Sequence, residues 1–140
     1  MSYDISLKDP VTNKTLCTKF NHEMTGGRYA IGGTNELWLN ITYNYARWYY
    51  HAGVFAPTKE ESKGIRTIYG KSGAESIPIL QHAINTLQAL EEDITEEERL
   101  KCISSGADGY WLPTRENAIR PLYQLLSMAQ LRPDGIWDGD

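Results

Sequence analysis

Residues 37–50 read LWLNITYNYARWYY, and the stretch from Leu37 to Tyr45 decides the fold class. Leu37, Leu39, Ile41, Tyr43 and Tyr45 alternate with Trp38, Asn40, Thr42 and Asn44. A period of two, rich in aromatic and β-branched side chains, predicts a half-buried strand. The polar face of that strand is unusual. A solvated face normally carries Lys, Glu or Arg, whereas this one offers an indole, two amides and a hydroxyl. Such groups either lie under a polar network or grip something.

Working back toward the N-terminus, Tyr3, Ile5 and Leu7 alternate with Asp4, Ser6 and Lys8, and Leu16, Thr18 and Phe20 alternate with Thr15, Cys17 and Lys19. Between them Asp9-Pro10-Val11-Thr12-Asn13 is turn chemistry, so residues 3–20 predict an antiparallel hairpin. Asn21–Gly27 reads as a polar loop and Arg28–Ile31 as a short strand-like run. The glycine pairs Gly26-Gly27 and Gly32-Gly33 would let backbone N–H groups approach a phosphate. No GxGxxG or GxxxxGK[ST] accompanies them, and tight turns are the simpler reading.

Toward the C-terminus, Ala46–Gly53 predicts a short helix ended by Gly53, and Phe55–Ser62 a polar loop. Lys63–Tyr69 fits a short helix or a strand. Ser72 and Glu75 match a capping box, after which Ile77, Leu80, Ile84 and Leu87 form one apolar stripe. Pro78 falls close to that start and removes one backbone donor, so the helix starts nearer Ser76 or opens with an irregular turn. Thr95 and Glu98 repeat the box ahead of a short acidic helix reaching about Ile103. The six acids of Glu91–Glu98 read as a solvated helix start favoured by the macrodipole. Ser104–Gly109 reads as a flexible connector. A last helix carries Leu122, Leu125, Leu126 and Ala129, capped by Thr114 or Asn117, with Pro121 favouring the later start or a kink. Pro133 and Asp134-Gly135 stop it, and Trp137 predicts a tail tied down by burial of its indole. The fold expected is α+β: a small antiparallel sheet of three to four strands with two main helices packed on one face.

The 140 residues suit one domain spanning 1–140. Hydrophobic residues at 41% and charged residues at 23% exclude wholesale disorder. Nine Tyr and four Trp against two Phe weight the aromatics toward side chains with a polar handle. That suits interfaces and ligand pockets, or equally a core whose tips are hydrogen-bonded. A net charge of −4 without a basic stripe argues against direct duplex nucleic-acid binding. No run approaches the ~20 apolar residues of a membrane span, and the acid-bearing N-terminus is no signal peptide. Cys17 and Cys102 form no metal or redox motif and read as free thiols, so a cytoplasmic location is expected.

Four segments, LNITYNY (39–45), YGKSGAESIP (69–78), YWLPTRENA (110–118) and RPDGIWDGD (132–140), resemble a group of small proteins encoded in phage and prophage genomes. The resemblance spans most of the chain, with Phe55–Ser62 and Glu91–Ser105 looking like insertions. It implies an accessory, cytoplasmic setting concerned with phage–host conflict. It carries over no activity and no catalytic residue.

His22, His51 and His82 share no ligand spacing, and no HExxH occurs, so neither a metal nor a cofactor is expected. Neither cysteine sits on a nucleophile elbow, and no carboxylate pair stands out. A binding reading has more behind it. Asn40, Thr42 and Asn44 would project from one strand face at steps of about 6.6–7 Å, a spacing suited to reading the edges of a nucleotide-like ligand. Arg28, Arg47 and Arg66 would supply charge, and Tyr69 or Trp111 a stacking plane. The expectation is a non-catalytic binding protein for a small polar or nucleotide-like ligand or a host protein. An enzyme acting on a nucleotide-derived signal and an acidic blocker of a host nucleic-acid-binding protein are the alternatives. A homo-oligomer is left open.

Overall fold

The computed structural model describes residues 1–23 and 33–140. The run Arg28–Ile31, the Gly26-Gly27 pair and Gly32 lie outside the described residues. In chain order the elements are β1 (Ser2–Lys8), β2 (Cys17–His22), β3 (Thr34–Glu36), β4 (Trp38–Thr42), α1 (Ala46–Tyr49), α2 (Gly73–Ala89), α3 (Glu96–Ser104), α4 (Arg115–Leu131) and β5 (Ile136–Gly139). Single 3-10 turns occupy Tyr43–Tyr45, Gly64–Ile68 and Gly109–Trp111. The fold is α+β, as expected.

The main sheet has the order β4-β1-β5, antiparallel throughout. Tyr3 faces Ile41, Ile5 faces Leu39 and Leu7 faces Trp137, so the three strands place their apolar side chains on one face. These residues join Leu80, Ala83, Ile84 and Leu87 of α2 and Ala118, Leu122, Leu125, Met128 and Ala129 of α4 in one core. Ile77 and Leu126 of the expected stripes are only half-buried, while Ser76 and Met128 are fully covered.

Two strand expectations are revised. The alternation of residues 37–45 does not make a nine-residue strand, because β4 stops at Thr42. The Thr42 hydroxyl accepts from the Asn44 N–H at 3.2 Å and so caps a 3-10 turn, which gives the backbone an alternative to the ladder. From there the repeat turns helical: Tyr45, Trp48 and Tyr49 are the buried side chains, at i, i+3 and i+4. The N-terminal hairpin is also shorter than expected. Asp9 Oδ1 caps the Val11 and Thr12 N–H groups at 2.8 and 2.9 Å, and Asn13 takes φ 59°, as the turn chemistry requires. Pairing of the two arms is confined to the neighbourhood of Lys8 and Thr15. Leu37 then enters between them, its carbonyl accepting from Leu7 N and its N–H donating to Leu16 O. Beyond that point β2 pairs with β3 instead.

Both capping boxes form, Ser72 with Glu75 and Thr95 with Glu98. Neither proline delays its helix. α2 begins at Gly73 and holds Pro78 inside; Ala74, whose carbonyl loses its helical partner, is exposed to water. α4 begins at Arg115, capped by Thr114, with Pro121 buried within it. The segment Lys63–Tyr69 resolves into a 3-10 turn. The expected helix through Gly53 is one turn long, and Gly53 at φ +88° closes the following loop. Trp137 is 1% exposed, and its indole donates to Ser76 Oγ at 2.8 Å. Its backbone adds the third strand.

Candidate ligand-binding site

The polar tips of Asn44, Tyr45, Trp48 and Tyr49 converge on one segment of chain. Asn44 Nδ2 donates to Trp111 O at 2.9 Å, Trp48 Nε1 to Pro113 O at 2.9 Å and the Tyr49 hydroxyl to Ala118 O at 2.8 Å. The Tyr45 hydroxyl donates to Tyr110 O. In return Tyr110 Oη accepts from Thr42 N at 2.9 Å and donates to Asn40 O at 3.3 Å. That phenol therefore closes the free edge of β4, which would otherwise present unpaired backbone groups. Residues 110–118 have few ladder partners of their own and are held by these side chains.

The clamp forms one wall of a cleft, and the end of α3 forms the other. The cleft comprises two neighbouring depressions of about 300 and 380 Å³ that share Asn44, Ser105 and Ala107. Arg47, Lys101, Cys102 and Pro113 line the first, and Gly106 and Trp111 the second. The chain turns at this wall through a Schellman motif, not a loose connector. Gly106 takes φ +86°, with Gly106 N donating to Ile103 O at 3.0 Å and Ala107 N to Cys102 O at 2.8 Å. Arg47 pairs with Glu98 at 2.7 Å and lies 5.2 Å from the Trp48 ring. Lys101 pairs with Glu97 at 3.4 Å. The Arg47 hydrogen bond holds the Glu98 carboxyl below its ordinary range. Trp111 keeps 45% of its surface exposed.

The structure divides the eight residues proposed from sequence. Asn44, Arg47 and Trp111 meet at the cleft. Asn40 stays on the outer face of the sheet, its Nδ2 donating to Ser2 Oγ and Asp4 Oδ1 at 2.7 Å each. Thr42 is buried and acts as a cap. The three therefore share no single strand face, because the strand ends between the second and third of them. Arg66 and Tyr69 belong to a separate cluster under β5. There the Arg66 guanidinium lies 4.9 Å from the Tyr3 ring and donates to Asp140 O at 2.8 Å. Tyr69 Oη is buried without a hydrogen-bond partner among the described residues, and burial pushes its pKa up. Arg28 lies outside the described residues. Lys101, Ser105 and Ala107 escape a reading of the sequence, although Ser-Gly after a helix is a C-cap signal that turns the chain back.

Among the described residues no three His, Cys, Asp or Glu side chains gather in a metal-holding group. No helix among them is long and apolar enough to cross a membrane. Comparison with protein-family models, with curated proteins and with solved structures gives no match.

Proposed function

We propose that this protein is a non-catalytic binding module that holds a small polar, nucleotide-like ligand in the cleft beside Asn44, acting in the accessory phage–host setting its sequence resemblance implies. The observation that carries this reading is the meeting of an amide, two cations and a half-exposed indole at one cleft. Trp111 offers a stacking plane for a base. Asn44 spends its Nδ2 on Trp111 O and keeps Oδ1 to accept from a ligand N–H. Arg47 and Lys101 supply charge for a phosphate. Their present partners Glu98 and Glu97 belong to surface ion pairs, worth only about 0–1 kcal/mol, so a ligand can displace them. The acidic segment is a weaker basis for a docking surface, because four of its six carboxylates already sit beside a cation or His of their own chain.

A thermal-shift screen of mononucleotides and cyclic dinucleotides, followed by chromatography of the recovered ligand, tests this reading. Binding is expected, with the ligand returned intact; a converted product would overturn the non-catalytic assignment. Asn44→Ala at this exposed position is expected to change stability by no more than about 0.5 kcal/mol while weakening ligand retention. A variant that melts several degrees lower and retains ligand fully would remove Asn44 from the site.

A further inference from the structure

A second concavity lies between the end of α2 and the first half of α4. It measures about 410 Å³ and is lined by Gln88, Arg115, Glu116, Ile119, Arg120 and Tyr123, none of which touches the cleft. Arg115, Ile119 and Tyr123 recur every four residues and so lie in one row along α4, with Glu116 and Arg120 in the adjoining row. Gln88 Nε2 donates to the Tyr123 hydroxyl at 2.6 Å, which ties the two helices at one end of the groove.

Arg115 is the anomaly. Its Nη1 is buried and has no hydrogen-bond partner among the described residues. None of their carboxylates lies within 4 Å of its guanidinium. Asp93 is committed to backbone N–H groups: its Oδ1 accepts from Arg115 N at 3.1 Å and from Ile94 N at 2.8 Å. Arg120 is held only loosely, 4.0 Å from Glu116 in an exposed pair. A buried guanidinium donor without an acceptor costs stability, and the side chain that bears it also lines the groove. In a chain of net charge −4, the groove carries two arginines against one glutamate.

We propose that this groove is a separate binding site for a small molecule bearing one oxyanion group, a carboxylate or a phosphate monoester, on a planar or aliphatic body. The oxyanion accepts from Arg115 and Arg120, as guanidinium forks favour. The body lies over Ile119 and Tyr123.

The test is an amide-detected NMR titration of the full chain with benzoate and with phenyl phosphate, which separate the two oxyanions. Benzyl alcohol supplies the ring without charge. Saturable shifts at Arg115, Ile119, Arg120, Tyr123 and the Gln88 side-chain amide are expected with at least one anion and not with benzyl alcohol. Arg115→Met is expected to weaken that binding at least tenfold without lowering the melting temperature. Exposed Arg120→Gln, which places no demand on folding, is expected to weaken it several-fold. Arg47→Ala should leave this titration unchanged, so failure of the cleft and failure of the groove are read separately. Absence of saturable shifts with both anions would overturn the proposal, as would binding undiminished in both groove variants.

Discussion

The contact between Ser76 and Trp137 joins the first turn of α2 to β5 and can be tested by removing either side. Trp137 is 1% exposed and Ser76 is fully buried, so neither partner has water to fall back on. Ser76 Oγ accepts from the indole at 2.8 Å and donates to Gly73 O at 2.7 Å. Ser76→Ala leaves the indole N–H buried without an acceptor, a loss of about 1–3 kcal/mol. The better helix propensity of Ala returns up to about 0.5 kcal/mol. The net expectation is a loss of roughly 0.5–3 kcal/mol. At ~3–4 °C per kcal/mol for a chain of this size, that lowers the melting temperature by roughly 2–12 °C. Urea titrations of the wild type, Ser76→Ala, Trp137→Phe and the double variant give the coupling directly. Once the serine is gone, replacing the indole should cost about 1 kcal/mol less than it does in the wild type. Additive variants, or a Ser76→Ala protein as stable as the parent, would refute the lock between helix and strand.

Ile84 is 3% exposed in the middle of the α2 stripe, and Ile84→Ala should cost about 2–5 kcal/mol by denaturant titration. Gly73→Ala would ordinarily stabilise a helix, but its Cβ would lie 2.7 Å from Arg132 O and 3.0 Å from Pro133 Cα. Because those are backbone atoms that cannot swing aside, the sign should reverse to a loss of about 1–3 kcal/mol, read in the same titration. The pH profile of the melting temperature should fall at both ends. Asp138, Asp134 and Glu98, hydrogen-bonded by Lys8, Arg132 and Arg47, have lowered pKa values, as do Glu75 and Asp9, hydrogen-bonded by backbone N–H groups. Their stabilisation is present above the ordinary values of 3.8–4.5 and is lost as pH drops through the lowered ones. Burial raises Tyr45 and Tyr49 above the ordinary 10.0, so their contribution is intact below pH 10 and disappears as pH climbs beyond it. Phenolate absorbance from those two rings should appear only together with the unfolding signal.

The sequence announces what local physics decides. Both capping boxes act over three residues, and the stripes of α2 and α4 repeat within one helix, so their periodicity is visible without a fold. The end of β4 is harder to see. Tyr43 and Tyr45 extend the alternation in letters, yet the Thr42 cap turns the backbone, and the spacing of Tyr45, Trp48 and Tyr49 is the better clue. β5 is hidden for another reason: only long-range pairing with β1 makes it a strand, and its link from Lys8 to Asp138 spans 130 residues. The cleft is half legible. Asn44, Arg47 and Trp111 stand out as polar or aromatic side chains, but their meeting depends on a hydrogen bond between residues 67 apart. The groove beside Arg115 has a readable row at i, i+4 and i+8. The missing partner of the guanidinium becomes visible only in three dimensions.

The preference for Tyr and Trp over Phe takes its meaning from the clamp. Residues 110–113 approach α4 as a single 3-10 turn and an extended run, and so leave carbonyls without ladder partners close to the core. A phenylalanine at 45 or 49 would fill the same volume but leave Tyr110 O or Ala118 O without its side-chain donor. Tyr45, Trp48 and Tyr49 bury their rings among the core residues and reach those carbonyls with their tips. Packing and polar satisfaction are therefore met by the same side chains, which is the economy that an amphipathic aromatic allows. For the cleft this has a direct consequence. Trp111 is anchored through its carbonyl to the exposed Asn44 amide and Pro113 to the buried Trp48 indole, so the ring on which the proposed ligand would stack is carried by a tethered segment. A site whose stacking surface is already in place avoids much of the ordering entropy of binding, which a free loop would have to lose on contact.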